Sequence, residues 1–282
     1  MDVGGDAVML RIRNYIFEVA LIVVVIVISI AGFWNIYFGT EDPQPHHHLH
    51  LAAVFIWMSL LLAQLILIVR RNFQMHRMIG LAVLTAGPLL VATNAMLAVR
   101  SAHKGVVSGE GDFMIIQNTM ATLELGLLIF LAFLLKKRRK LHGSLLLSTT
   151  ILFMGIALFF AVINVVPQLK IEGFETSDRF EMAGITAQLT SLAVALLFFF
   201  RNPKNGWPFL VAGLCIPLNG VLHSQLMSLS LIDPLTEFVG SLNQTLTFIV
   251  TFALLLLLLA VTALPRRGTF SGKPIDVISP TE

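Results

Sequence analysis

The sequence predicts an all-α, polytopic transmembrane bundle of about eight spans with both termini cytoplasmic. Three observations carry this: a chain dominated by apolar residues, long apolar runs at regular intervals, and basic residues confined to alternate connections. Hydrophobic residues make up 56% of the 282 positions, charged residues only 12%, and mean hydropathy is +0.85. An ordinary soluble domain carries about 25% charged residues. A net charge of +3 and a pI near 9.2 do not point to nucleic acid, because the basic residues lie in short runs between apolar segments. That placement fits membrane topology and lipid headgroups.

A helix crosses about 30 Å of hydrocarbon with about 20 mostly apolar residues. Runs of that length fall near 15–38, 48–70, 78–99, 113–135, 144–166, 182–201, 207–231 and 237–264. Each is bounded by charge, Pro or Gly and is too long for a buried strand. The first run is too long for a signal peptide and lacks a small-residue cleavage site, so it is read as a retained helix. The whole of 1–282 then forms one transmembrane domain, with a cytoplasmic segment at 1–14 and a cytoplasmic tail at 265–282.

With the N-terminus inside, the inner segments hold 15 of the 19 Lys and Arg residues, leaving Arg100, Lys104, Lys170 and Arg179 outside. This bias orients the chain in a plasma membrane, which in bacteria is the inner membrane. The outer connections are acidic, with Glu41, Asp42, Glu110, Asp112, Glu172, Glu175, Asp178, Glu181, Asp233 and Glu237. No connection is long enough for a soluble domain, so the chemistry is expected in the bilayer or at its surfaces. Helices two–three and four–five make similar hairpins, with turns ending in His76-Arg77 and His142-Gly143. Loop regularity and true duplication explain that period equally well.

Polar residues in hydrocarbon are costly, so their positions are informative. Most fall in the outer half: His50, Asn94, Gln117, Asn118, Glu124, Asn164, Gln188, Asn219, His223, Asn243 and Gln244, with Gln64 the inner exception. Cys215, Asn219 and His223 follow i,i+4 spacing, as do Asn243, Thr247 and Thr251, and such stripes face other helices. Two readings follow: a polar cavity open to the outer face, or amides that tie helices together at about 1 kcal/mol each. Glu124 is read as either a proton-handling group or a structural carboxyl bonded to an amide.

The segment His46-His47-His48-Leu49-His50 opens helix two. Neutral imidazoles are transition-metal ligands, and His46, His48, His50, His103 and His223 form the candidate set for Zn, Cu or Fe. His50 and His223, with Asn219 beside them, could instead hold a b-type haem. A solvated surface cluster is the plain alternative for His46 to His48. His76 and His142, among arginines and lysines, suit lipid phosphate, capping of the preceding helix, or a joint inner-face site. The single cysteine, Cys215, excludes an intramolecular disulfide and any Cys-rich metal site.

The pattern His48-Leu49-His50, Trp57, Gln64 and His76-Arg77-Met78-Ile79-Gly80 resembles a group of bacterial multi-pass membrane proteins. In those families an H-x-H pair opens a helix carrying Trp and Gln, and an H-R-x-x-G turn follows. The resemblance covers helices one to five and implies a bacterial inner-membrane protein with important histidines; some relatives are associated with terminal-oxidase assembly. Their second basic turn usually reads H-x-R, where this chain has Gly143 and Ser144. No hydrolase, P-loop or nucleotide-binding motif is present. Three functions remain open: a metal- or haem-binding protein of redox or oxidase-accessory type, a transporter or lipid-handling protein for a small solute, and a non-catalytic assembly subunit. The expected partners are the lipid bilayer and other membrane subunits.

Overall fold

A computed structural model describes residues 3–38, 44–109, 111–112, 114–169 and 177–263. These residues form nine α-helices and one short 3-10 turn, with no strand among them. The helices are α1 Val3–Phe38, α2 Pro45–Val69, α3 Phe73–Ser108, α4 Ile115–Leu134 and α5 Arg139–Val165, followed by the turn at Pro167–Leu169. Then come α6 Ser177–Arg201, α7 Pro203–Ser228, α8 Ile232–Gly240 and α9 Gln244–Ala263. Eight of them, all but α8, are long and apolar enough to cross a membrane. The protein is therefore a multi-pass integral membrane protein, and its described residues are almost all helical.

Hydrocarbon offers no hydrogen bonds to backbone groups, so each span closes its own ladder and ends only where a cap appears. Pro45 and Pro203 open α2 and α7, where their missing N–H is no loss. Asn72 caps α3, its side chain accepting from the Met75 N–H at 3.1 Å, and Gly109 ends that helix in the left-handed region at φ +74°. Caps rather than hydropathy set the limits, so α3 runs 36 residues, well past the apolar stretch 78–99. The last span differs from expectation in the same way. The run at 237–264 is broken at 241–243, because Asn243 caps a new helix by accepting from Leu246 N–H at 3.0 Å.

The centre of the bundle is a ring of four helices. α2 touches α3, α3 touches α4, α4 touches α5, and α5 closes back on α2. Inside the ring Trp57, Met58, Leu90, Ile129, Leu145 and Ile151 are all fully buried. The Trp57 indole N–H donates to Thr149 Oγ1 at 3.0 Å, which itself donates to the Leu146 carbonyl at 2.7 Å. This bond joins α2 to α5 through the driest part of the core. The other helices pack around the ring: α1 on α5 and α2, α6 on α5, α7 on α4, α5 and α6, and α8 and α9 on α3 and α4.

Two glycines permit close crossings. A Cβ at Gly32 would sit 2.6 Å from the Ala157 carbonyl oxygen, so only glycine lets α1 lie against α5. A Cβ at Gly240 would meet the backbone of Ala102 and His103 at 3.0–3.1 Å, seating α8 on α3. The outward sides of α1, α6 and α9 are apolar, α9 presenting Leu246, Ile249, Val250, Leu254, Leu257 and Val261. A chain with that surface is solvated by acyl chains.

The turns after α2, α4 and α6 gather on one side, here the basic face, with Arg70, Arg71, Arg77, the Lys136–Lys140 run, Arg201 and Lys204. At this face Arg201 pairs with Glu18 at 3.6 Å, its guanidinium 4.0 Å from the Phe17 ring centroid. The opposite, acidic face carries Asp112, Glu181, Asp233 and Glu237. Replacing Trp57 by Ala is expected to destabilise the bundle by about 3–5 kcal/mol. Thr149→Val, which strands the indole N–H, is expected to destabilise it by about 1–3 kcal/mol. Unfolding of detergent-purified protein followed by circular dichroism measures both, and equal midpoints for wild type and both variants would contradict this view of the core.

Candidate functional site

The polar residues of the spans meet mostly as pairs between neighbouring helices. The Asn219 amide on α7 donates to Glu124 Oε1 on α4 at 2.9 Å. One member of the i,i+4 stripe on α7 thus clamps the one acidic side chain of α4. An unpaired carboxyl at that depth would cost several kcal/mol, so this clamp permits it to be there at all. The third member, His223, does not join: its Nδ1 is buried without a partner, as are Gln117 Oε1 and Thr119 Oγ1 on α4.

Other polar groups act as ties. Asn94 on α3 donates to Thr122 Oγ1 at 2.8 Å and to the Asn118 carbonyl at 3.4 Å, both on α4. Asn164 on α5 donates to the Gly32 carbonyl on α1 at 2.7 Å, and Gln64 on α2 to the His76 carbonyl on α3 at 3.2 Å. The side chains expected to line one outer cavity therefore divide among separate helix seams. Asn243 sits at the cap of α9 rather than inside a span, which removes the stripe proposed for it.

The histidines fall into distinct environments. His50, early in α2, bonds Thr93 Oγ1 on α3 at 3.1 Å. The Thr93 hydroxyl proton goes to the Leu90 carbonyl at 2.8 Å, so His50 Nδ1 is the donor and Nε2 keeps the lone pair. His48 bonds the Tyr37 hydroxyl, and the His46 and His47 rings lie tilted against each other, 4.2 Å between centroids at 51°. His103, near the end of α3, donates from Nδ1 to the Gly240 carbonyl at 3.2 Å. His50 and His223 lie on α2 and α7, which are not neighbours, so the expected ligand pair is not assembled. Nor do His46, His48, His50, His103 and His223 converge: among the described residues no three of His, Cys, Asp and Glu come together to hold a metal ion. Side-chain spacing cannot reveal which helices touch, and here the helix order separates the ligands.

At the basic face two other histidines do approach one another. His142 at the start of α5 donates from Nδ1 to the Ala132 carbonyl near the end of α4 at 2.7 Å, with its ring edge-on to Phe133 at 5.8 Å. This is the capping of a preceding helix that the sequence suggested. His76 at the start of α3 has a buried Nδ1 with no partner. The two imidazoles are close enough for their charges to interact. They come from helices that face each other diagonally across the four-helix ring.

Two cavities lie elsewhere. One of about 420 Å3 is an apolar groove between α1 and α5, lined by Val27, Ile30, Ala31, Trp34, Asn164 and Val165. The second, about 280 Å3, is lined by Arg100, His103, Leu242, Asn243, Gln244 and Thr245. Sequence reasoning counted Arg100 only as a topology marker. No protein family, no curated protein and no solved structure matches this chain.

The Glu124–Asn219 pair supports a direct energetic test. In a double-mutant cycle with Glu124→Gln and Asn219→Ala, the coupling is expected to be about 1 kcal/mol, measured by unfolding in mixed micelles. Additive single-variant effects would mean that the two side chains do not hold α4 to α7.

Proposed function

We propose that this protein is a membrane-embedded, histidine-ligated cofactor protein of redox or oxidase-accessory type, carrying a b-type haem at its basic face with His76 and His142 as the axial ligands. The observation that carries this reading is that two imidazoles, at the starts of diagonal helices of a four-helix ring, lie within reach of each other's charge. Helix bundles hold cofactors in this way, between side chains of facing helices. His142 is oriented by its Nδ1–H bond to a backbone carbonyl, the support that ligating histidines commonly have, and its Nε2 retains a lone pair. His76 brings a buried ring nitrogen that no protein group satisfies.

Electrostatics chooses among cofactors. Arg70, Arg71, Arg77 and Lys136–Lys140 surround this end of the bundle, and such a field repels a bare divalent cation. The same field favours a group bearing carboxylates, as the two propionates of haem do. A haem held by two histidines carries one electron, the chemistry of a membrane redox partner. The basic face is assigned to the cytoplasm of a bacterial inner membrane, which the excess of Lys and Arg on its turns supports. The oxidase-assembly association of the proteins that share the His48–Gly80 pattern accords with this role.

Protein purified from haem-replete cells is expected to show a low-spin Soret band that shifts on dithionite reduction, with about one haem per chain. His76→Ala and His142→Ala should each abolish that spectrum, while His50→Ala should retain it. Folded wild-type protein that takes up no haem even when hemin is supplied would overturn the proposal. Stoichiometric zinc or copper in its place, lost in the His50→Ala variant, would return the site to the opposite face.

A further inference from the structure

The cavity at the acidic face combines features that no interhelical tie accounts for. Arg100 is exposed on α3 and makes no ion pair with any described residue. It lines a polar cavity of about 280 Å3 together with His103, Asn243, Gln244 and Thr245. Among the described residues, nothing acidic lines the cavity.

The hydrogen-bonding groups there are mainly donors. His103 Nδ1 is spent on the Gly240 carbonyl, and Asn243 Oδ1 is spent on the Leu246 N–H. Thr247 N–H takes the Asn243 carbonyl. The N–H groups of Gln244 and Thr245, at the first turn of α9, lie outside the helix's own ladder. A guanidinium, a side-chain amide and two backbone N–H groups thus surround one small volume.

Depth narrows the ligand further. Arg77 and Arg100 lie on the same helix, roughly 23 residues apart, which is about 34 Å at 1.5 Å per residue. The hydrocarbon layer is about 30 Å thick, so two arginines bracketing it stand at the two levels of lipid phosphate. The cavity at Arg100 opens at the headgroup level of the acidic face.

We propose that the Arg100–His103–Asn243 cavity is a binding site for a phosphate group, supplied by the headgroup of a phospholipid in the adjacent leaflet. The Arg100 fork provides two parallel N–H···O contacts to a phosphate, and the α9 N-terminus adds backbone donors aligned with a favourable dipole. The acidic residues of that face, Asp233 and Glu237 on α8 among them, keep the surrounding surface unattractive to anions, so binding depends on the cavity itself. The site is independent of the haem reading and uses none of its residues.

The test is titration of delipidated, detergent-solubilised protein with phosphatidylglycerol, counting adducts by native mass spectrometry, with and without excess inorganic phosphate. Wild type is expected to hold one phosphatidylglycerol tightly. Arg100→Ala should weaken that step by about tenfold or more, the usual loss for a charge-assisted hydrogen bond. Arg100→Lys, which keeps the charge but not the fork, should weaken it less, and Lys104→Ala, outside the cavity, should leave it unchanged. Thermal melting confirms that each variant is folded, and Arg100→Lys carries the test if Arg100→Ala does not fold. Lipid binding that inorganic phosphate does not displace supports the headgroup; full displacement overturns the lipid source and assigns the cavity to a soluble phosphate compound. Equal binding of both probes to wild type and the Arg100 variants, or an equal loss in Lys104→Ala, would overturn the site.

Discussion

Within the hydrocarbon layer no water is present to satisfy a polar group, and the arrangement of these helices follows from that constraint. Each polar side chain in a span needs a partner: most Ser and Thr hydroxyls bond carbonyls of their own helix, and several amides and rings reach another helix. Trp57 reaches Thr149, Asn94 reaches Thr122, Asn164 reaches the Gly32 carbonyl, and Glu124 is held by Asn219. Helix association in lipid has little hydrophobic drive, because acyl chains are as apolar as leucine. Close backbone crossings, as at Gly32, and these few polar bonds therefore select one packing among many. The four-helix ring of α2–α5 is where the ties are densest, and the remaining helices attach to it.

The two ends of the bundle differ in kind. The basic face gathers Lys and Arg on successive turns, and its two best-placed histidines lie among them. The acidic face carries Arg100, which has no ion pair among the described residues, in a polar cavity beside the cap of α9. A carboxylate-bearing cofactor suits the first and a lipid phosphate the second, both for the same electrostatic reason: an anionic group seeks concentrated donors at the edge of a low-dielectric slab. The mid-membrane layer between them is packed with Trp57, Ile129, Leu90 and Leu145 and gives the ends a rigid separation.

Much of this was legible in the sequence. The number of spans followed from apolar length and the placement of charge, and the stripe of Cys215, Asn219 and His223, expected only to face other helices, brings Asn219 against Glu124 on α4. For His142 lipid phosphate, capping and a joint site with His76 were all open, and its Nδ1–H bond to the Ala132 carbonyl is a capping contact. Other features were hidden for definite reasons. Hydropathy measures the hydrocarbon interval, not the helix, so α3 proved far longer than its apolar core and the last run divided at Asn243. His50 and His223 were matched by depth, which does not make α2 and α7 neighbours. Thr149 carried no signal of its own; a threonine in an apolar run becomes meaningful only once α5 is known to face Trp57. Arg100 looked like one of the few charges on the wrong side, and its cavity depends on a helix break that the apolar run concealed.

The account stands or falls on eight alternating crossings with the basic turns on one side. In a Cys215→Ser background, single cysteines at Gln74, Lys137 and Lys204 would be compared with cysteines at Lys104, Gln168 and Ser228. A membrane-impermeant maleimide is applied to intact spheroplasts and to inverted vesicles. The account predicts that the first three label only in inverted vesicles and the last three only in spheroplasts. Any two consecutive turns labelled from the same side would contradict the eight-span arrangement, and with it the two-faced bundle on which both proposed sites depend.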